Sequence, residues 1–506
     1  MSKPSFFSSR AARVAALLLL FLTASAIRLY DLTDPPLDFH PTRQLLSAIK
    51  ARALYFQTRP EGISQETLET GIRQAKLKAQ VEPVILEHLV AYTYRFTGEQ
   101  VWIARIYSSL FWLIGGVFLF LLVRDLLSFD AAFFSTAYYL LFPYAIVASR
   151  SFQPDPLMVM LIITFWWAFA RWMDLGSSAT SAGVWTAVLA GLLGGAAILI
   201  KFSAAFFVIG AALGLALSQW TWRELSRSRQ VWLMAILGAL PGLIYLIYGI
   251  FIEGGLEGQF RGRFVPALLF NPFNYLQWMV KADMAAGGLF IMLALLGFFL
   301  TSDTRLRSLL FGLWGTYILY SLFFNYHAAT HDYYQLPFIP IIALALAPLG
   351  GWFFTRLSES TEQGNQRTAV YLILVLGLVM VVWNVRNQMK AVDYRPQASM
   401  WTQIGEILQD KSVIALIQDY GSGLEYWGLR TVPTWPYTGD PVYARIRGNE
   451  ALFDELFTDY SSRKDYFLVT DFDEFNRQTR LRERLEKYPV YMEGNGFLIF
   501  DLRNPG

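Results

Sequence analysis

Residues Val101 to Val123 read VWIARIYSSLFWLIGGVFLFLLV, and Arg105 is the single charge in that run. A helix of this length crosses the roughly 30 Å hydrocarbon core of a bilayer. Ten comparable runs accompany it: Ala11–Tyr30, Ala131–Ala148, Leu157–Trp172, Ala182–Ile200, Ser203–Trp220, Val231–Ile252, Met284–Leu300, Ser308–Phe324, Leu336–Phe354 and Ala369–Trp383. The pattern predicts an α-helical polytopic membrane protein with about eleven spans. Composition agrees, since 55% of the 506 residues are hydrophobic and 16% charged, where a soluble chain carries about a quarter charged.

Charge placement sets the expected orientation. Lys3, Arg10 and Arg13 precede the first run, and no small-residue cleavage site stands before Arg28-Leu29-Tyr30, so a retained helix with a cytoplasmic N-terminus is expected. Arg124, Arg171, the Arg223/Arg227/Arg229 cluster, Arg305/Arg307 and Arg356/Arg367 then fall on the same side, and the chain from about Arg386 lies outside the cell membrane. A net charge of +3 without a Lys/Arg run excludes a nucleic-acid partner, and zero Cys excludes disulfides, thiolate metal sites and a Cys nucleophile.

Residues 1–390 read as a transmembrane domain and 391–506 as a small extracytoplasmic α/β domain. In the tail, Ser412–Gln418, Tyr466–Thr470 and Gly496–Leu502 are strand-like, and Asn449–Tyr460 and Asp473–Tyr488 helix-like. No Gly-rich fingerprint follows a strand, so no nucleotide cofactor is expected. Residues 31–100 form a long outer loop in which Leu45, Leu46, Ile49, Ala53 and Phe56 recur at helical spacing, as in an amphipathic helix lying on the membrane. Glu253 to Asp283, rich in Gly, Arg and aromatics, reads as a mobile lid.

The chemistry-bearing residues gather on the outer face. His40, His88, His327 and His331 all fall there, whereas the opposite loops are short and basic. Pro35–Gln44, PPLDFHPTRQ, stiffens the backbone around Asp38 with prolines and sets His40 and Arg43 beside it. A carboxylate at the edge of apolar surface favours proton uptake and suits a general base; a turn-forming Asp is the bland alternative. Asp155, in Ser149-Arg150-Ser151-Phe152-Gln153-Pro154-Asp155-Pro156, reads equally as a helix N-cap and as a site residue, with Arg150 suited to phosphate. Arg105 must pair or snorkel near a helix end. Glu82 and His327 are metal-ligand types, and His331-Asp332-Tyr333-Tyr334-Gln335 forms a further outer cluster.

The order of these features resembles glycosyltransferase family 39, membrane glycosyltransferases of the protein O-mannosyltransferase and aminoarabinose transferase type. Its carriers are the acidic first loop, Glu82-Pro83-Val84-Ile85-Leu86, Arg95-Phe96-Thr97-Gly98-Glu99 with Arg105, Ser149-Arg150 with Asp155, and His331-Asp332-Tyr333-Tyr334-Gln335-Leu336-Pro337. The resemblance implies a C-type glycosyltransferase fold and transfer of a sugar from a polyprenyl-phosphate carrier to a hydroxyl on a lipid, glycan or protein acceptor, with inversion. It implies Asp38 and Asp155 as catalytic residues, and His40, Arg43, Arg105, Arg150, His331 and Tyr334 on substrate. A divalent metal would be held through Glu82 and His327. Family members carry adjacent Asp-Glu in the first loop, where this chain has about Thr42-Arg43. Asp38 standing in for the pair, Asp155 as base, and a divergent or silent member all stay open. So does a transporter or lipid flippase, although the helix interiors hold few acids.

Overall fold

The computed structural model describes residues 5–504 apart from 80–81, 176–179, 253, 255, 257–262, 361–363 and 447. Part of the expected lid thus lies outside the described residues. The chain divides into two compact units, one of Met1–Leu32, Ala79–Leu86 and Ile103–Val392, the other of Thr33–Lys78, Glu87–Trp102 and Asp393–Gly506.

The first unit is a bundle of apolar helices. Among the described residues 8 helices are long and apolar enough to cross a membrane, or up to 9 if a bent pair counts as one span. The expected runs are all helical, and three depart from a straight span for identifiable reasons. Phe129–Leu141 stops before Pro143, which lacks the N–H needed to continue, and Pro143–Ala148 resumes as a short helix. Ala204–Leu217 is cut short by the break at Lys201–Ser203. Pro272–Ala286 and Gly288–Leu300 meet at 88°, and the corner residue Gly287 takes φ +76, a left-handed conformation open to glycine. Close packing elsewhere needs small residues, since a Cβ at Gly195 would meet the Leu237 carbonyl of the neighbouring helix Arg229–Ile247.

The second unit is built on a four-stranded sheet: β1 (Val413–Leu416), β2 (Tyr466–Val469), β3 (Val490–Gly494) and β4 (Phe497–Asp501), ordered β1-β2-β4-β3. β1 and β2 run parallel, with Val413 opposite Tyr466, and β4 is antiparallel to both β2 and β3. Alternation places Ile414, Leu416, Phe467 and Phe500 in one core around Trp435, and Val413, Ala415, Leu468 and Ile499 in the other against Trp401. β3 escapes the sequence pattern because Val490 to Glu493 are exposed on this edge. The helix-like run Asp473–Tyr488 is two helices, Phe472–Arg477 and Thr479–Leu485.

The loop helix Pro41–Phe56 belongs to this second unit, where its apolar side is buried. Its polar side is covered as well. Arg52 is buried, pairs with Glu99 at 2.8 Å and donates to the Tyr426 carbonyl, its guanidinium 3.8 Å from the Tyr426 ring. The helix is therefore an internal one within the unit rather than one with a solvated polar face.

Candidate active site

In the first unit the main polar feature is a lysine at a helix break. Ser181–Ile200 ends at Lys201, whose backbone is extended, and the next helix starts at Ala204. Lys201 Nζ lies 2.8 Å from Asp155 Oδ1, with the two side chains 6% and 1% exposed. Asp155 opens the helix Asp155–Leu175, followed by Pro156, so the Asp-Pro start does provide a helix beginning while its carboxylate is committed to the lysine. The 3-10 turn Asp332–Gln335 places the Tyr333 and Tyr334 rings 5.2 and 4.8 Å from the same ammonium. Gln335 locks the turn by accepting from Tyr317 Oη at 2.7 Å and donating to the Ala328 carbonyl at 2.9 Å.

The histidines continue the cluster. His327 stacks 5.0 Å from Tyr334 and 5.6 Å from His331. Burial, then the neighbouring His331, Arg263 and Lys201, push His327 down to about 4, so its imidazole is neutral near pH 7. Lys201 lines a small cavity with Glu82, Tyr245 and Gly242. In the sequence Lys201 falls between the apolar runs Ala182–Ile200 and Ser203–Trp220 and belongs to no candidate motif. A lone ammonium between two long apolar stretches is the signal that could have found it.

Arg105 and Arg150, expected on phosphate, both donate to backbone carbonyls. Arg105 donates to the Asp31 and Leu32 carbonyls, both at 3.3 Å. Arg150 donates to the Tyr30 and Asp31 carbonyls at 2.8 and 3.2 Å. Arg28, from the first helix, donates to Ser149 Oγ and to the Leu140 carbonyl at 2.9 and 3.0 Å. Buried guanidiniums thus clasp the backbone where the first helix ends, and Asp31 is held there at φ 45.

In the second unit, Asp38 accepts from Gln44 Nε2 at 3.3 Å, and the same amide donates to the Phe39 carbonyl at 2.6 Å. His40 precedes Pro41 in the left-handed region, φ 47, with its ring edge-on to Phe39 at 4.7 Å. Such a conformation costs a non-glycine residue free energy and is kept where surrounding contacts over-determine it. Thr42 Oγ1 donates to the Asp419 carbonyl at 3.4 Å. Asp419 and Tyr420, just past β1, are themselves left-handed at φ 51 and 53. Burial, then Asp471, raise the Asp419 carboxyl, while His40 and Thr42 act against that. Arg43 lies one residue further along this helix. Nothing in the sequence pattern joins Asp419 to the loop, since 377 residues separate it from Thr42.

The expected metal set is not assembled. Among the described residues no three His, Cys, Asp or Glu gather closely enough to hold an ion. Glu82 faces the Lys201 cavity, while His327 is packed among aromatic and imidazole rings.

Residues 81–248 match the family model described as dolichyl-phosphate-mannose-protein mannosyltransferase; this span includes Arg105, Arg150, Asp155 and Lys201. No curated protein matches the sequence. Among solved structures, ArnT from Cupriavidus metallidurans bound to undecaprenyl phosphate is similar at 15% identity, covering 96% of this chain and 98% of that one, with a TM-score of 0.55. The archaeal oligosaccharyltransferase AglB from Archaeoglobus fulgidus, with an inhibitory peptide and a dolichol-phosphate, is 12% identical over 96% of this chain and 74% of that one, TM-score 0.56. An Archaeoglobus fulgidus oligosaccharyltransferase with Zn and sulfate is 13% identical over 90% and 68%, TM-score 0.53. The chain carries the fold of these membrane glycosyltransferases and, over about a third of its length, the mannosyltransferase sequence pattern.

Proposed function

We propose that this chain transfers a sugar from a polyprenyl-phosphate carrier to an acceptor hydroxyl at the outer membrane face, with inversion at the anomeric carbon. The observation that carries the reading is the buried Lys201–Asp155 pair in a helix break, backed by Tyr333 and Tyr334. A buried cation with preset geometry needs no reorganisation when charge develops on a leaving phosphate. The donor's hydrocarbon tail stays in lipid while its phosphate reaches this ammonium. Undecaprenyl phosphate in ArnT and dolichol-phosphate in AglB are ligands of that chemical class.

In this reading the acceptor oxygen attacks the anomeric carbon and the bond from that carbon to the phosphate oxygen breaks. The leaving phosphate is stabilised by Lys201, which Asp155 fixes in place. Within the second unit, Asp38, held by Gln44, has the place of a general base, with His40 and Arg43 beside it as substrate residues. His331 and Tyr334 shape the carrier's end of the site. Arg105 and Arg150 act as positioning residues through the carbonyls of Tyr30 to Leu32. Among the described residues no three His, Asp or Glu gather to hold an ion, and the groups named here belong to this chain alone. The N-terminus lies in the cytoplasm and the C-terminal domain outside.

The test is purified full chain in proteoliposomes with polyprenyl-phosphate mannose or aminoarabinose, reading free polyprenyl phosphate by mass spectrometry. Turnover is expected, with Asp38→Asn lowering it by roughly 10²–10⁴, the usual worth of a general base. No release from either donor would overturn the activity, and an Asp38→Asn protein at full rate would overturn the base assignment.

A further inference from the structure

The first unit holds a second cavity, of about 620 Å³, between Ser181–Ile200, Ala204–Leu217 and Arg229–Ile247. Its wall is apolar, with Phe165, Gly194, Ala212 and Ala235 along its length and Trp222 and Trp232 near one end. A water takes about 30 Å³ of liquid volume, so this space is far larger than a buried water needs and offers water few partners. Ile209 and Trp232, both on its rim, are largely exposed, which opens the cavity to the lipid-facing surface.

The Trp end is capped by the short helix Trp222–Arg227, fixed by a capping box between Thr221 and Glu224. That helix sends Leu225 and Ser226 into the cavity wall and carries Arg223 and Arg227, with Arg229 just beyond; all three are exposed. Among the described residues these guanidiniums form no ion pair, and Glu224 on the same short helix is engaged by Thr221. An apolar slot that ends at interfacial tryptophans and three available guanidiniums complements one class of molecule, an amphiphile with a hydrocarbon chain and an anionic phosphate headgroup.

We infer that this cavity binds an anionic glycerophospholipid, an acyl chain between the helices and its phosphate on Arg223, Arg227 and Arg229. The sugar carrier is a poorer fit. Lys201 stands at the opposite end of Ala204–Leu217, and 14 residues at about 1.5 Å each set the two ends roughly 21 Å apart. A carrier with its phosphate at Lys201 therefore cannot also place it on the arginines, whereas a phospholipid of the other leaflet can. The cavity and its arginines stand apart from the proposed sugar transfer, while the choice of a phospholipid over the carrier rests on the place proposed for the carrier's phosphate at Lys201.

The test is native mass spectrometry of the full chain from nanodiscs holding equal dioleoyl phosphatidylglycerol and dioleoyl phosphatidylcholine. One phosphatidylglycerol is expected to stay with each chain. Each Arg near an anionic phosphate is worth about fivefold, so R223Q/R227Q/R229Q should lower the preference roughly a hundredfold. Ala212→Phe, which fills the slot, should remove the retained lipid, and Lys201→Met should leave it in place. Equal retention of the two lipids, an unchanged preference in the arginine variant, or retention unaffected by Ala212→Phe would overturn the site. Displacement by undecaprenyl phosphate that Lys201→Met abolishes would give the cavity to the carrier and overturn it too. The arginines are exposed, so a folding failure of Ala212→Phe still leaves a decisive variant.

Discussion

Replacing Lys201 with Met while Asp155 stays in place strips the partner from a carboxylate that is 1% exposed. Asp155 Oδ2 already has no hydrogen-bond partner among the described residues, so the variant leaves a whole buried charge uncompensated. Breaking a pair of this kind costs about 3–5 kcal/mol. Asp155→Leu leaves the ammonium with the faces of Tyr333 and Tyr334, each worth about 0.5–2 kcal/mol to a cation, so its loss should fall near the lower end, about 3 kcal/mol. Removing both charges in Lys201→Met/Asp155→Leu fills the site with apolar groups, and such swaps are often neutral or stabilising. The double variant should therefore recover most of the stability that either single change loses, so its loss falls far below the sum of the two single losses. Its sugar transfer should stay as low as that of Lys201→Met, because the cation for the phosphate is gone. The assay is denaturant unfolding in mixed micelles, run in parallel with turnover on a polyprenyl-phosphate sugar. If stability and turnover return together in the double variant, the pair is structural and the phosphate role fails; if neither returns, the coupling argument fails.

Three further outcomes follow from the same contacts. His327 is pushed down to about 4 against an ordinary value of 6.5, so between those pH values the unfolded chain binds the proton first and stability rises with pH. His327→Gln should flatten unfolding midpoints over that window, and an unchanged slope would refute the shift. Asp419 has a raised carboxyl and a left-handed backbone, so its ionised form opposes folding increasingly as pH rises past the ordinary carboxylate range. Asp419→Asn, which tolerates that backbone better, should unfold later than the parent at neutral pH, with the gain shrinking toward pH 4; equal stability at neutral pH would count against both causes. Arg150→Lys loses the fork that holds the Tyr30 and Asp31 carbonyls, and should speed amide exchange around Tyr30 to Leu32, whereas unchanged exchange would remove the clasp.

The membrane helices were legible because long apolar runs with few charges have few alternatives to spanning lipid, as Val101–Val123 illustrates. The breaks at Pro143 and Gly287 were not, since a hydropathy run continues across a proline or a glycine whose backbone effect depends on the helix around it. Asp155 reads in sequence both as a helix start and as a site candidate; in the structure it opens a helix, and its carboxylate pairs with Lys201. Arg105 and Arg150 were recognised as needing partners, but backbone carbonyls leave no mark in sequence, so the partners could not be read. Asp419 was invisible for the same reason, its link to Thr42 being through a main-chain oxygen.

Lys201, Asp155, Tyr333 and Tyr334 of the first unit share one kind of place. Lys201 occupies the gap between two helices, Asp155 starts a helix after a proline, and Tyr333 and Tyr334 sit on a 3-10 turn. Within hydrocarbon every backbone N–H and C=O must be satisfied, so irregular backbone persists only where protein covers it or a polar cavity receives it. Continuous helices project side chains outward and leave no room for a phosphate against the main chain, whereas interrupted helices open that room and free backbone groups at their ends. The interruptions are thus the positions where a buried charge can be held with little penalty and aimed inward. A cation fixed there by Asp155 is ready for an anion arriving from the lipid. The proposed phosphate site then depends on the breaks themselves: closing the gap at Lys201–Ser203 into continuous helix should abolish phosphate binding even with Lys201 retained, while lengthening an uninterrupted span elsewhere should not.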